Sequence, residues 1–129
     1  MGILRNVFQS ILSRRRIKLN NIEEEKIIMI RHVVMFKYQE EAEGNDKKYN
    51  LKKTKELLEK LQGKVEEIKY LHVGLNDDEA DNSNYDLVLT VDVESISDLN
   101  AYQINPDHAL VGKFIKKVAM ARACVDYRV

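Results

Sequence analysis

The strands that residues 29–129 can form are apolar on both faces, and this limits the possible folds more than any other feature of the chain. In residues 85–93 (YDLVLTVDV), Leu87, Leu89 and Val91 fall on one side and Val88 on the other. Ala123, Val125 and Tyr127 repeat the pattern in the last segment. Helices packed on a sheet of this kind cover one face. An apolar face left open marks an interface, and the simplest cover is the same face of a second copy.

The other elements follow from periodicity. Residues 30–38 (IRHVVMFKY) are rich in β-branched and aromatic residues and read as a strand. His32, Val34, Phe36 and Tyr38 share one of its faces; Arg31, Val33, Met35 and Lys37 share the other. A polar loop with Gly44 spans 39–46. Residues 48–62 predict a helix with Leu51, Leu57, Leu58 and Leu61 as its stripe and Gly63 at its end. Residues 65–75 predict a strand, 76–84 an acidic turn and 85–93 a third strand. Ser95, with Asp98 three residues on, caps a short helix over 96–103. Asn105-Pro106 starts another over 106–118, directing Leu110, Val111, Phe114, Ile115 and Val118 inward. Residues 121–129 form the last strand. The order β-α-β-β-α-α-β predicts an α+β fold of ferredoxin-like topology, a four-stranded antiparallel sheet with helices on one face. Pairing through the open face makes a dimeric α/β barrel.

Residues 1–28 differ in character. Ile3, Leu4, Val7, Phe8, Ile11 and Leu12 recur at helical spacing, Arg5 and Arg14-Arg15-Arg16 supply positive charge, and no acid precedes Glu23. This is the pattern of a basic amphipathic leader, and membrane contact through residues 1–20 is one expectation from it. Another is that Met29 is the natural start and the leader is not native, because Glu23-Glu24-Glu25 can be encoded by a purine run like a bacterial ribosome-binding site. The leader lacks a secretory cleavage site, and Asn6 stands where myristoylation wants Ser or Thr.

Composition narrows the partners. Lys plus Arg and Asp plus Glu number 21 each, and the basic leader leaves the remainder mildly acidic. Nucleic acid is therefore not an expected partner, since phosphate binding needs a basic footprint. No apolar run reaches a membrane-spanning length. The single cysteine, Cys124, closes no internal disulfide and points to a reducing compartment, the cytoplasm. The three histidines lie far apart without ligand spacing, and the five glycines form no phosphate loop, so neither a metal nor a cofactor is expected.

Several longer stretches resemble one known family. Met29 to Lys37 (MIRHVVMFK) is similar to the opening of the stress-responsive A/B barrel domains of the dimeric α/β-barrel superfamily. Tyr85-Asp86-Leu87-Val88-Leu89 resembles their third strand. Residues 101–108 (AYQINPDH) resemble their Tyr-x-x-His-Pro-x-His stretch, and Val125-Asp126-Tyr127 resembles their close. The resemblance implies a homodimer with a cavity between sheet and helices, able to take a small apolar, aromatic or carbonyl ligand. It extends to a cofactor-free plant cyclase that closes a linear polyketide, and to stress-protective oligomers without turnover. By position it implies Tyr102 and His108 as an acid–base pair, with His32, Phe36 and Leu87 against the ligand. Asn105 and Leu87 depart from the cyclase pattern, where a His and a polar residue stand.

The residues support such chemistry independently. His108 lies early in its helix, where the partial positive charge favours neutral imidazole. Tyr102 precedes it across the Asn105-Pro106 break, which lets both reach one cavity. Such a pair can remove a proton next to a carbonyl and stabilise the enolate. The bland alternatives are a helix-capping His108, a turn-anchoring Tyr102 and a core His32.

Overall fold

The computed structural model describes residues 14–19 and 22–129. The helical pattern of Ile3 to Leu12 lies outside the described residues. The arginine run is a strand: β1 (Arg14–Leu19) pairs antiparallel with β2 (Ile22–Ile27). Their register sets Arg16 opposite Glu25 and Lys18 opposite Glu23.

The body is built around β3 (Ile30–Tyr38), whose bounds are those of its β-branched run. After it come the short β4 (Glu41–Ala42) and β5 (Asn45–Asp46), a two-strand turn inside the predicted loop, and α1 (Lys47–Glu59). Then follow β6 (Tyr70–Leu75), β7 (Leu87–Val93), α2 (Ile96–Ile104), α3 (Pro106–Val118) and β8 (Ala119–Arg128). The main sheet runs β6-β7-β3-β8, with every neighbouring pair antiparallel. This is the expected α+β, ferredoxin-like arrangement, with three helices among the described residues. Asp46, Ser95 and Asn105 cap the helices, each side chain accepting a backbone N–H of the first turn. Among the described residues no helix is long and apolar enough to cross a membrane.

Strand alternation divides the sheet. Val34, Phe36 and Tyr38 pack with Leu87, Leu89 and Val91 under Leu58 of α1, Leu99 and Tyr102 of α2, and Val111, Ile115 and Val118 of α3. The other face has no such cover among the described residues: Val125 is 62% and Met35 40% exposed. Arg31 crosses this open face to Asp92 by two hydrogen bonds, Nε to Oδ1 at 2.8 Å and Nη2 to Oδ2 at 2.9 Å.

Three expectations fail for identifiable reasons. Residues 65–69 are not strand. Val65 N–H bonds Leu61 O and Ile68 N–H bonds Val65 O, and the two apolar side chains are buried at turn spacing after the positive φ of Gly63. The inner face of α1 is Asn50, Thr54 and Leu58, with Leu51 and Leu57 only partly buried. Leu110 points out at 69% exposed, because Val111, Ile115 and Val118 already fill the inner stripe of α3.

Thr54 is satisfied on the polar inner face of α1, whereas Asn50 Oδ1 is buried there with no partner among the described residues. Thr54 Oγ1 donates to Asn50 O at 2.7 Å, which uses its one proton, so Tyr38 donates its hydroxyl to Thr54 Oγ1 at 2.6 Å. The two deletions should therefore differ. Thr54→Val strands a buried donor and should cost about 1–3 kcal/mol, whereas Tyr38→Phe leaves Thr54 still donating and should cost less. Urea unfolding of the two variants checks the order, which reverses if Thr54 is the donor.

Candidate functional site: a pocket between the sheet and the last helix

A pocket of roughly 170 Å³ opens between the sheet and α3. Val34, Phe36, Leu58, Leu89, Val111 and Ile115 give it apolar walls, and His32, His108, Lys116 and Arg122 bring polar groups to it. Gly112 forms part of the helical wall, and a Cβ added there would meet nothing within 4 Å. Glycine inside a helix typically costs about 0.5–1 kcal/mol relative to alanine; here its missing side chain is open space.

Both histidines are held by Nδ1. His32, buried in mid-β3, stands opposite Asp126 of β8, and its Nδ1–H donates to Asp126 Oδ1 at 2.5 Å. His108, at the third position of α3, donates Nδ1–H to the Gln103 carbonyl at 3.1 Å. Since a carboxylate and a carbonyl only accept, each ring keeps Nε2 as its basic nitrogen. Burial lowers the His108 pKa, partly opposed by the bond to Gln103, and nearby His32 and Arg122 lower it further. Its neutral form is the one able to take a proton.

Tyr102 touches both rings. Its centroid is 4.4 Å from that of His108 and 6.1 Å from that of His32. It is fully buried, its hydroxyl has no hydrogen-bond partner among the described residues, and it is not among the pocket walls. Burial raises its pKa, so the phenol stays protonated at neutral pH. Of the residues singled out from sequence, His32, Phe36 and His108 meet at the pocket. Tyr102 backs the two histidines. Leu87 lies opposite Phe36 in the register, buried in the core and outside the pocket walls.

Cys124, left without a partner by the sequence reading, has two. Its Sγ lies 3.6 Å from His32 Nδ1 and 3.6 Å from Asp126 Oδ1. Burial raises its pKa, and the Asp126 charge adds to the shift. Only the β3–β8 register, which brings together residues 92 apart, reveals this neighbour.

The stress responsive A/B barrel domain model matches residues 30–129. The chain belongs to this A/B barrel family. Among solved structures it is similar to a dimeric protein of unknown function and ferredoxin-like fold from Bacteroides fragilis, at 29% identity and a TM-score of 0.70, covering 78% of this chain and 96% of that one. A dimeric ferredoxin-like protein of unknown function from Thermobifida fusca has 24% identity and a TM-score of 0.67, with 79% and 92% covered. A hydroxynitrile lyase from Passiflora edulis has 16% identity and a TM-score of 0.66, with 81% and 95% covered. None of the curated proteins matches this sequence.

Within this A/B barrel domain, the unpartnered hydroxyl makes Tyr102→Phe informative. Removing an orphaned buried polar group should leave stability at neutral pH unchanged or higher. Unfolded tyrosine ionises near pH 10, whereas burial holds Tyr102 protonated to higher pH and raises Tyr38 to about 12. Above about pH 10 the folded state thus binds more protons than the unfolded one, and stability falls as pH rises. Urea midpoints across that range should fall less steeply in Tyr102→Phe. An equal slope in both proteins contradicts the assignment.

Proposed function

We propose that the protein is a homodimer that binds a small apolar, aromatic or carbonyl ligand in the pocket beneath α3. The observation that carries this reading is the pocket itself: apolar walls with two oriented imidazoles and a helix-interior glycine that keeps the space free. Its size limits the ligand. A cavity of about 150 Å³ accepts benzene, so a ligand of one ring or a short carbonyl chain fits, and an extended polyketide does not.

The dimer is supported by the open sheet face and by the dimeric relatives from Bacteroides fragilis and Thermobifida fusca. Val33, Met35, Val88 and Val125 make the apolar centre of that face, with Arg31 and Asp92 already paired beside them. Val125→Asp should convert the dimer to a folded monomer, measured by sedimentation equilibrium. A dimer of unchanged affinity places the interface elsewhere.

A second reading is favoured by the free Nε2 of His108. In a cofactor-free acid–base reaction His108 takes a proton next to the ligand carbonyl, and Tyr102 holds its ring in place as a positioning residue. The fold shared with the Passiflora lyase brings no activity with it at 16% identity, so this reading rests on the two rings alone.

One variant tests the pocket. Gly112→Leu fills the space and restores helix propensity, so it should raise stability by up to about 1 kcal/mol while abolishing ligand binding. Native mass spectrometry of the protein from its source should show a small adduct on the wild-type dimer and none on Gly112→Leu. An adduct of equal occupancy on both rules the pocket out. His108→Gln then separates binding from turnover, losing turnover alone under the acid–base reading.

A further inference from the structure

Three side chains on the helix side of the β3–β8 pair converge on one point. His32 lies opposite Asp126, and Cys124 precedes Asp126 by two residues on the same strand face. The donor atoms Nδ1, Sγ and Oδ1 all lie within 4.8 Å of one another. The arrangement is not a nucleophile relay. A relay needs the thiol and the carboxylate on different ring nitrogens, whereas here both approach Nδ1. Two donors gathered about a third, the ring nitrogen, suit a cation among the three.

We propose that His32, Cys124 and Asp126 form a three-ligand site for a zinc-like divalent metal ion, with a further position open. The spacing supports it. Tetrahedral ligand bonds of about 2.0–2.3 Å put sulfur and its neighbours about 3.5 Å apart. The Cys124 to His32 and Cys124 to Asp126 separations, both 3.6 Å, already have that value. Only the His32–Asp126 hydrogen bond has to open, by about 0.8 Å to reach a tetrahedral ligand edge. Asp126 is the member free to move, its side chain being 36% exposed against 3% for His32.

The donor set selects the metal. One thiolate, one imidazole and one carboxylate favour zinc or cobalt over magnesium or calcium, which take oxygen ligands. Before binding, the site holds one negative charge, on Asp126. Binding releases the Cys124 thiol proton to solvent and moves the His32 proton from Nδ1 to Nε2. The thiolate and carboxylate then neutralise the divalent ion, and the site ends with no net charge. The inference shares His32 with the pocket reading but needs neither His108 nor Gly112.

The test is titration of metal-free full-length protein with Co²⁺ alone, followed by Zn²⁺ competition. One Co²⁺ per chain should give a thiolate-to-cobalt charge-transfer band, displaced by Zn²⁺, with one proton released per ion. Asp126→Asn should weaken binding about tenfold or more, and Cys124→Ser should abolish the band. Both positions lie on the edge strand, and their unfolding midpoints show whether the fold is kept. His72→Gln, on the opposite sheet face, should change nothing. A second readout is alkylation of Cys124, which one equivalent of Zn²⁺ should slow. The proposal is overturned by the absence of the band, by unchanged affinity in Asp126→Asn, by weakened binding in His72→Gln, or by alkylation indifferent to Zn²⁺.

Discussion

The pairing of β3 with β7 on one side and β8 on the other is the constraint on which the rest of the molecule depends. A strand held on both edges cannot slip by one residue without turning every side chain to the opposite face. That register places Ile30, His32, Val34, Phe36 and Tyr38 under the helices and leaves Arg31, Val33, Met35 and Lys37 on the other side. It also brings the last strand, far away in sequence, against the first strand of the body. The pocket floor, the His32–Asp126 bond and the Cys124 contact are all consequences of this one alignment.

The helices add what the sheet cannot supply. The break at Asn105-Pro106 ends α2 and starts α3 within one residue, since proline has no N–H to continue the first helix and its fixed φ suits the start of the second. The abrupt turn lets Tyr102, from the last turn of α2, pack against His108, from the first turn of α3. The Gln103 carbonyl, near the end of α2, has no continuing helix to accept from and takes the His108 proton instead. A helix end with a spare acceptor therefore sets the tautomer of the pocket histidine.

Much of this was readable in the sequence where a period or a cap dictated it. β3 and α3 have the bounds their patterns imply, and Ser95 and Asn105 cap as their side chains suggest. Readings failed where tertiary context outweighed local pattern. In α1 the leucine stripe is a poorer guide than Asn50 and Thr54, because Tyr38 offers a buried partner for a threonine that periodicity alone places outside. Residues 65–69 are apolar enough for a strand, yet the turn at Gly63 brings Val65 and Ile68 into the core before pairing begins. His32 and His108 carry a visible chemical signal. Cys124 and Asp126 do not, because what distinguishes them is a cross-strand neighbour, and no local spacing encodes a neighbour across a sheet.

Several features at odds with maximal stability share one region. Gly112 weakens a helix, Tyr102 buries a hydroxyl with no partner, and His32 puts an imidazole in the core with a carboxylate at the edge as its only strong tie. In sequences that fold well, local choices agree with the global structure, and departures gather at sites of function. The opposite face makes the contrast: Arg31 and Asp92 satisfy each other by two bonds, and Val33, Met35, Val88 and Val125 share that face. One side of the sheet thus carries the character of an interface and the other that of a site. The shared strand β3 sets the register of both, so a dimer formed through the open face holds the strand that positions His32.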